Sequence, residues 1–351
     1  MRPMGVEKEK YFLSLCLAGV SFLTLREKNI LLKNLDSAAA LALLSIDDIA
    51  TLVGRTFRSA VWNGPSCVRE AEKAERIIKA FGIETILNGD ALYPALLAEA
   101  ENAPFMLFCR GNASCLSGET VSVVGTRRMT RAGKEAAFSF ARDAARNGVT
   151  VVSGLAYGID AASHAGAVDA CFDAMEAGTE KNCGKTAAIL PCGADMIVPS
   201  SHKRLAEKII KTGGVLVSEY LPGVPAEAWR FVHRNRIIAA LSPATVVVES
   251  PPGSGALITA QYALDYNRDV MIHEAAFSAP AKAVSRQAKC ELEKKIERGE
   301  AAKGKTERTA EKYVADGAPV IKDYADYRRC RSEAPGARSG EPSLFLRGAK
   351  F

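Results

Sequence analysis

The chain carries nine cysteines yet no C-x-x-C pair. The nearest two, Cys109 and Cys115, have no matching second pair and no histidine beside them. That excludes a zinc ribbon or finger, and scattered thiols in odd number read as reduced, in keeping with a cytoplasmic chain. No G-x-x-x-x-G-K-[ST] stretch occurs, which excludes a P-loop ATPase. No G-x-G-x-x-G is followed about 20 residues later by an acid, so the usual dinucleotide fingerprint is missing. No acidic pair closes a strand as a two-metal nuclease requires. Neither a metal nor a cofactor is expected. The apolar stretch YFLSLCLAGVSFLTL, residues 11–25, is too short to span a membrane and runs into a charged LREKN. With mixed charge before it and no cleavage site behind it, it reads as a buried helix rather than a signal peptide, and no membrane partner is expected. There is no internal repeat.

What is present is ordinary globular composition, 48% hydrophobic and 25% charged over 351 residues, with a net charge of +6 that suits a polyanionic partner. Residues 1–80 alternate helical patterns with short polar breaks and predict a small helical domain, with Ser45 of SIDDI as an N-cap. DALYPALL and PFMLFCRGN read as two strand-like runs. From residue 121 the pattern changes. VSVVG, VTVVS, TAAIL, GVLVS, TVVVE and DVMI are short β-rich runs separated by helical segments. Six such runs predict an α/β fold: a Rossmann-like, doubly wound, mostly parallel sheet covered on both faces, within residues 81–281. Residues 282–312 are about half charged and read as a linker or a solvated helix; residues 313–328 return briefly to the core, and 329–351 read as a disordered tail.

In such a sheet ligands bind at the carboxyl ends of the strands. Gly125, Thr126, Arg127 and Arg128 follow the first strand and enter a helix, where free amides, a hydroxyl and arginine can hold a phosphate. Ser153 and Gly154 follow the second strand; Asp160 is placed to cap the next helix, and His164 reads as structural. Ser254, Gly255 and Thr259 lie in a third glycine-rich turn, SPPGSGALITA. Between these comes WRFVHRNRIIAALS, where Phe231, Arg234, Asn235 and Arg236 combine aromatic and basic groups suited to a nucleic acid strand. Helical spacing puts Arg230 and Arg234 on one face and Arg236 off it. A solvated basic turn, or a helix buried through Ile237, Ile238 and Leu241, is the plain structural alternative.

VSVVGTRR, VVSGLAYGIDAASHAGAVDA, LPCGADMIVP, LVSEYLPG, FVHRNRIIAALS and VVVESPPGSGALITAQYAL stand in the order found in the DNA-processing protein A (Smf) family. The resemblance runs from about Asp90 to Ile272, and YVADGAPVIKD resembles a later family segment. It implies a non-enzymatic protein that binds single-stranded DNA, protects incoming strands in natural transformation and loads the RecA recombinase, usually as a homodimer. By position it implies DNA contacts at Gly125, Thr126 and Arg127, at Ser153 and Gly154, at Phe231, Arg234, Asn235 and Arg236, and at Ser254, Gly255 and Thr259. Tyr157 stands where the family often has arginine, and Val232 where it has proline. The CFDAMEAGTEKNC loop is longer than usual, and the residues after Tyr327 are too few for the winged helix that ends many members. The rival expectation is a nucleotide N-glycosidase or small-nucleotide binder of the related lysine decarboxylase-like family. That family carries an acid just after P-G-G-x-G-T, where this chain has Ile258 and Thr259.

Overall fold

The computed structural model describes residues 4–300, 302, 304 and 306–333. In chain order the elements are α1 (Met4–Gly19), α2 (Leu25–Asn34), α3 (Ala38–Leu43), α4 (Ile46–Val53), α5 (Gly64–Phe81), β1 (Glu84–Leu87), α6 (Ala95–Ala98), β2 (Met106–Gly111) and β3 (Thr120–Val124). They continue with α7 (Arg131–Arg146), β4 (Thr150–Ser153), α8 (Ile159–Glu176), β5 (Thr186–Ile189), α9 (Lys203–Lys211), β6 (Val215–Ser218), α10 (Ala228–His233), α11 (Asn235–Ala240) and β7 (Ala244–Val247). The last are α12 (Gly255–Asp265), β8 (Asp269–His273), α13 (Ala279–Glu297), α14 (Ala310–Ala315), β9 (Val320–Ile321) and α15 (Tyr324–Glu333).

The strands form one sheet in the order β1-β2-β6-β5-β4-β3-β7-β8-β9. The six apolar runs read from the sequence, β3 to β8, pair parallel with one another. β1 and β2 add an antiparallel edge, and β9 extends the far side in parallel. Every residue of β3 to β7 is buried. Side chains alternate between the faces of a strand, and both faces here are covered. In β5, Ala187 and Ile189 belong to one core cluster with Ile237 and Ile238 of α11, while Ala188 belongs to another with Ala206 and Ile209 of α9. That double coverage is why the runs show no polar alternation.

The sheet order reverses at one place. From β3 the chain steps outward through β4, β5 and β6, then returns through α10 and α11 to set β7 on the other side of β3. The crevice at the carboxyl ends of β3 and β7 is therefore the switch point where open α/β sheets bind ligands.

The N-terminal helices pack over the antiparallel edge, with Leu13, Leu17 and Leu31 in one cluster with Met106 and Phe108 of β2. The apolar stretch at 11–25 is indeed a buried helix through Gly19, and among the described residues no helix is long and apolar enough to cross a membrane. Ser45 caps α4 in a reciprocal box with Asp48. DALYPALL is not a strand. The preceding ETIL forms β1, the Asp90 carboxylate accepts the Leu87 N–H at 2.8 Å, and Pro94 opens α6. Proline lacks the donor a ladder needs and fixes φ for a helix start.

The first half of the 282–312 segment is solvated helix, α13. The core return reaches further than residue 328, since α15 runs to Glu333. Tyr324 and Tyr327 pin it edge-on against Phe140 of α7, with ring centroids 5.9 and 5.7 Å away. Such contacts add about 0.5–1.5 kcal/mol beyond area burial. The remainder of the expected tail, from residue 334, lies outside the described residues.

Candidate nucleic-acid interface

Three loops meet at the switch point. The loop after β3 is held almost entirely by its own backbone. The Thr126 N–H donates to the Glu249 carbonyl at 2.6 Å, the Thr126 carbonyl accepts from the Ile159 N–H at 3.1 Å, and the Arg128 N–H donates to Thr126 Oγ1 at 3.1 Å. The Glu249 carboxylate, at the end of β7, accepts from the Thr130 N–H at 2.9 Å and from Thr130 Oγ1 at 2.5 Å. Thr130 in turn caps α7 by accepting the Gly133 N–H at 3.1 Å. The close fit explains the glycines: a Cβ on Gly125 would lie 2.5 Å from Ile159 Cγ1, and one on Gly133 2.3 Å from the Glu249 carboxyl carbon. What this loop leaves to solvent is Arg127 and Arg128, both exposed. Neither has a carboxylate partner among the described residues, and the Arg127 guanidinium sits 5.4 Å from the centre of the Phe231 ring.

The loop after β4 lies lower. Ser153 is fully buried and donates to the Val123 carbonyl at 2.6 Å. Gly154 leaves room for Arg234, whose guanidinium would be 2.2 Å from a Cβ there. Arg234 Nη1 donates to the Gly154 carbonyl at 2.6 Å and also to the Ile189 carbonyl. Burial pushes the Arg234 guanidinium down to about 10, against the pull of Asp160. Burial likewise pushes the Asp160 carboxyl up, opposed by Arg234. Asp160 does not cap α8: Gly158 holds the N-cap position, and Asp160 Oδ2 accepts the Ala156 N–H at 3.4 Å. Gly158 has φ +81°, and a Cβ there would lie 2.1 Å from the Thr126 carbonyl oxygen.

His164 is structural, as expected. Thr186 Oγ1 donates to the Val151 carbonyl at 2.8 Å, so it must accept from His164 Nδ1, 2.7 Å away. His164 Nε2 then accepts the Leu155 N–H at 3.3 Å, and the ring is needed neutral. Burial, with help from the charges of Arg234 and His202, pushes it down to about 3.

The third loop opens α12. The Ser250 and Ser254 hydroxyls bond to each other, and no side chain caps the first amides of α12. Gly255 is exposed at that end, and its carbonyl is held by Asn235 Nδ2 at 3.2 Å and Thr259 Oγ1 at 3.3 Å. The unsatisfied N–H groups and the positive end of the helix dipole thus face outward, an arrangement that takes a phosphate. α7 begins nearby, but Thr130 has already satisfied the Gly133 amide.

These loops enclose a cavity of about 700 Å³. Gly125–Arg128, Asp160, Phe231, Asn235, Gly253–Thr259 and Arg308 are among the residues that line it. The family described as DNA recombination-mediator protein A matches residues 84–311, more than half of the chain and every one of these loops. The chain belongs to that family.

The DNA processing protein DprA of Bacillus subtilis is 35% identical over 202 residues, 56% of this chain and 64% of that protein. A Synechocystis protein named Smf is 40% identical over 185 residues, 52% of this chain and 43% of its own length. The chain thus spans less than two thirds of the length of these relatives. The crystal structure of DNA processing protein A from Streptococcus pneumoniae is 26% identical, covers 94% of this chain and 98% of its own, and superposes with a TM-score of 0.61. The fold is therefore the Rossmann-like one expected.

Within this recombination-mediator fold, the expected contact residues separate. Gly125, Thr126, Arg127, Arg128, Phe231, Arg234, Asn235, Ser254, Gly255 and Thr259 converge on the cavity; Ser153, Gly154 and Arg236 do not line it. Several of those expected as ligands are spent on the fold itself. Arg234 is 3% exposed and bound to two carbonyls, and Arg236 is 5% exposed and paired with Glu219. Ser153 and Thr259 are buried with their hydroxyls committed to carbonyls. Gly154 serves Arg234 rather than a ligand. The physical reason is α11, of which every residue is buried, so an arginine at its start is drawn inward. Arg230 is engaged as well, with Glu227 at 3.1 Å and over the Tyr220 and Trp229 rings. Tyr157 is exposed, and its hydroxyl lies 3.0 Å from Ser201 Oγ.

Two residues escaped the sequence reading. Glu249 was visible as the acid ending an otherwise apolar TVVVE run. Arg308 carried no signal, because it stands among many charges in the 282–312 segment.

Proposed function

We propose that this cavity binds single-stranded DNA and that the protein acts as a non-enzymatic recombination mediator. The observation that carries the reading is the ring of exposed cations. Arg127, Arg128 and Arg308 stand around one cavity without carboxylate partners among the described residues, beside the uncapped start of α12 and the Phe231 ring. A mononucleotide brings one phosphate group, whereas a strand brings a row of them with bases that stack on aromatic rings. Cations contributed by separate segments suit the row. The names of the relatives, which speak of DNA processing, point the same way.

The carboxylates nearby favour binding over cleavage. Glu249 is fully engaged by Thr130, and Asp160 is buried against the Ala156 amide and the Arg234 charge. A glycosidase needs a carboxyl group presented to its substrate. Loading of RecA onto the bound strand, a role in natural transformation, a homodimer and a cytoplasmic location complete the reading and follow from the family resemblance.

Fluorescence anisotropy with single- and double-stranded oligonucleotides across a salt series tests it. Preference for the single strand with a steep salt dependence is the expected result. Release of free base from a nucleoside monophosphate, or a copurified nucleotide freed by heating, would instead favour the glycosidase or small-nucleotide reading. Acceleration of RecA filament growth on single strands, and a doubled mass in light scattering, check the partner and the dimer.

A further inference from the structure

One residue of the charged segment between β8 and α14, Arg308, lines this cavity. β8 lies beside β7 in the sheet, so the chain leaving β8 emerges at the edge where the glycine loops sit. It becomes α13, whose half-buried side runs Ala281, Val284, Ala288, Leu292 and Ile296, a helical stripe. Leu292 rests on the third loop: a Cβ on Gly253 would fall 2.9 Å from Leu292 Cδ2. Beside that stripe Lys282, Arg286 and Lys289 recur at i, i+4 and i+7, all exposed. None of them has an ion-pair partner among the described residues. Like charges at i and i+4 weaken a solvated helix, so this stripe is not explained by the stability of α13. It spans roughly 10 Å at 1.5 Å per residue, long enough to follow a strand's backbone past more than one phosphate. Glu293 ends it. Beyond the helix the segment returns to the cavity, where Arg308 is exposed on its lining.

We propose that α13 and Arg308 form a second wall of the strand-binding site. Arg308 is a third phosphate ligand beside Arg127 and Arg128, and the Lys282–Arg286–Lys289 stripe carries the strand onward past the cavity. This rests on the reading of the cavity as a single-strand site.

The test is anisotropy over a salt series with oligothymidylates of about 6 and about 25 nucleotides, one near the short end of common single-strand site sizes and one beyond the long end. Arg308→Ala should lower the slope of log K against log salt by ~0.7 with both lengths, and Arg308→Lys should restore it. The triple variant Lys282→Gln/Arg286→Gln/Lys289→Gln should lower the slope with the long strand alone. All these side chains are exposed, so an unchanged unfolding midpoint confirms that each variant is folded. If neither variant alters either slope while Arg127→Ala does, α13 is a bystander; this inference falls and the function stands. If the unmodified protein binds neither oligonucleotide, the reading of the cavity fails and takes this inference with it.

Discussion

The arginines around the cavity fall into two groups. Arg127, Arg128 and Arg308 are exposed, whereas Arg234 and Arg236 are 3% and 5% exposed and tied to fixed oxygen atoms. In sequence Arg127 and Arg128 look no different from Arg234 and Arg236, basic residues in a segment that follows a strand. What separates them is the chain that follows. Arg127 and Arg128 lie in a loop whose backbone is already satisfied by Thr126, Thr130 and Glu249, so their side chains turn outward. Arg234 and Arg236 lead into Ile237 and Ile238, and the burial of that helix draws them in. A buried guanidinium must be paired or hydrogen-bonded to carbonyls, and the second loop supplies those carbonyls. Arg234, on the cavity lining, and Arg236, off it, are held in the buried floor of the fold, and in the proposed reading the outer arginines meet the strand.

The strongest way to break this division is to remove an inner arginine. Arg236→Ala leaves the mostly buried Glu219 with His233 as its one remaining partner among the described residues and should cost up to about 3–5 kcal/mol, read from urea unfolding. A large loss of DNA affinity with an unshifted unfolding midpoint would place Arg236 in the outer group instead.

His164 tests the same floor through pH. Its folded value of about 3 lies below the ordinary 6.5, so the unfolded chain binds the extra proton between those values. Stability should be full above pH ~6.5 and decline as the pH falls toward ~3. His164→Gln should lose stability at neutral pH and show a flatter acid limb. A parallel acid limb in parent and variant would mean that His164 is not the titrating group. Glu219 contributes with the same sign. Burial opposes its ionisation, but the His233 hydrogen bond and the Arg236 charge together hold it below its ordinary value, so its contribution is lost as the pH falls through that lowered value.

Gly154→Ala sharpens the comparison from the other side. The new methyl meets a guanidinium pinned to two carbonyls, and the expected cost is about 1–3 kcal/mol. If the variant unfolds at the parent's midpoint, Arg234 is less firmly held than its bonds imply. The smallest effect on stability belongs to Arg127→Ala, which should stay within ~0.5 kcal/mol yet weaken DNA binding nearly uniformly across base sequences.

The sheet was legible because β3 to β8 are buried on both faces, and the turns after β3 to β7 carry glycine. The loops were legible for the same reason, since a switch point confines ligands to strand ends. Availability was not. Whether Ser153 or Thr259 points at a ligand or at a carbonyl depends on which strand lies beside it, and that is a long-range fact: Ser153 reaches back to Val123, and Arg234 to Gly154 and Ile189. Arg308 returns to the cavity only because α13 folds back over Gly253. DALYPALL misled because an apolar alternation around Pro94 mimics a strand until the missing donor is counted.

The most direct measurement is the salt slope of single-strand binding for the parent and for Arg127→Ala/Arg128→Ala, with the unfolding midpoint of each recorded alongside. The account predicts a slope lower by ~1.4, two contacts at ~0.7 each, at an unchanged midpoint. An unchanged slope would contradict it and leave the exposed arginines without the role assigned to them.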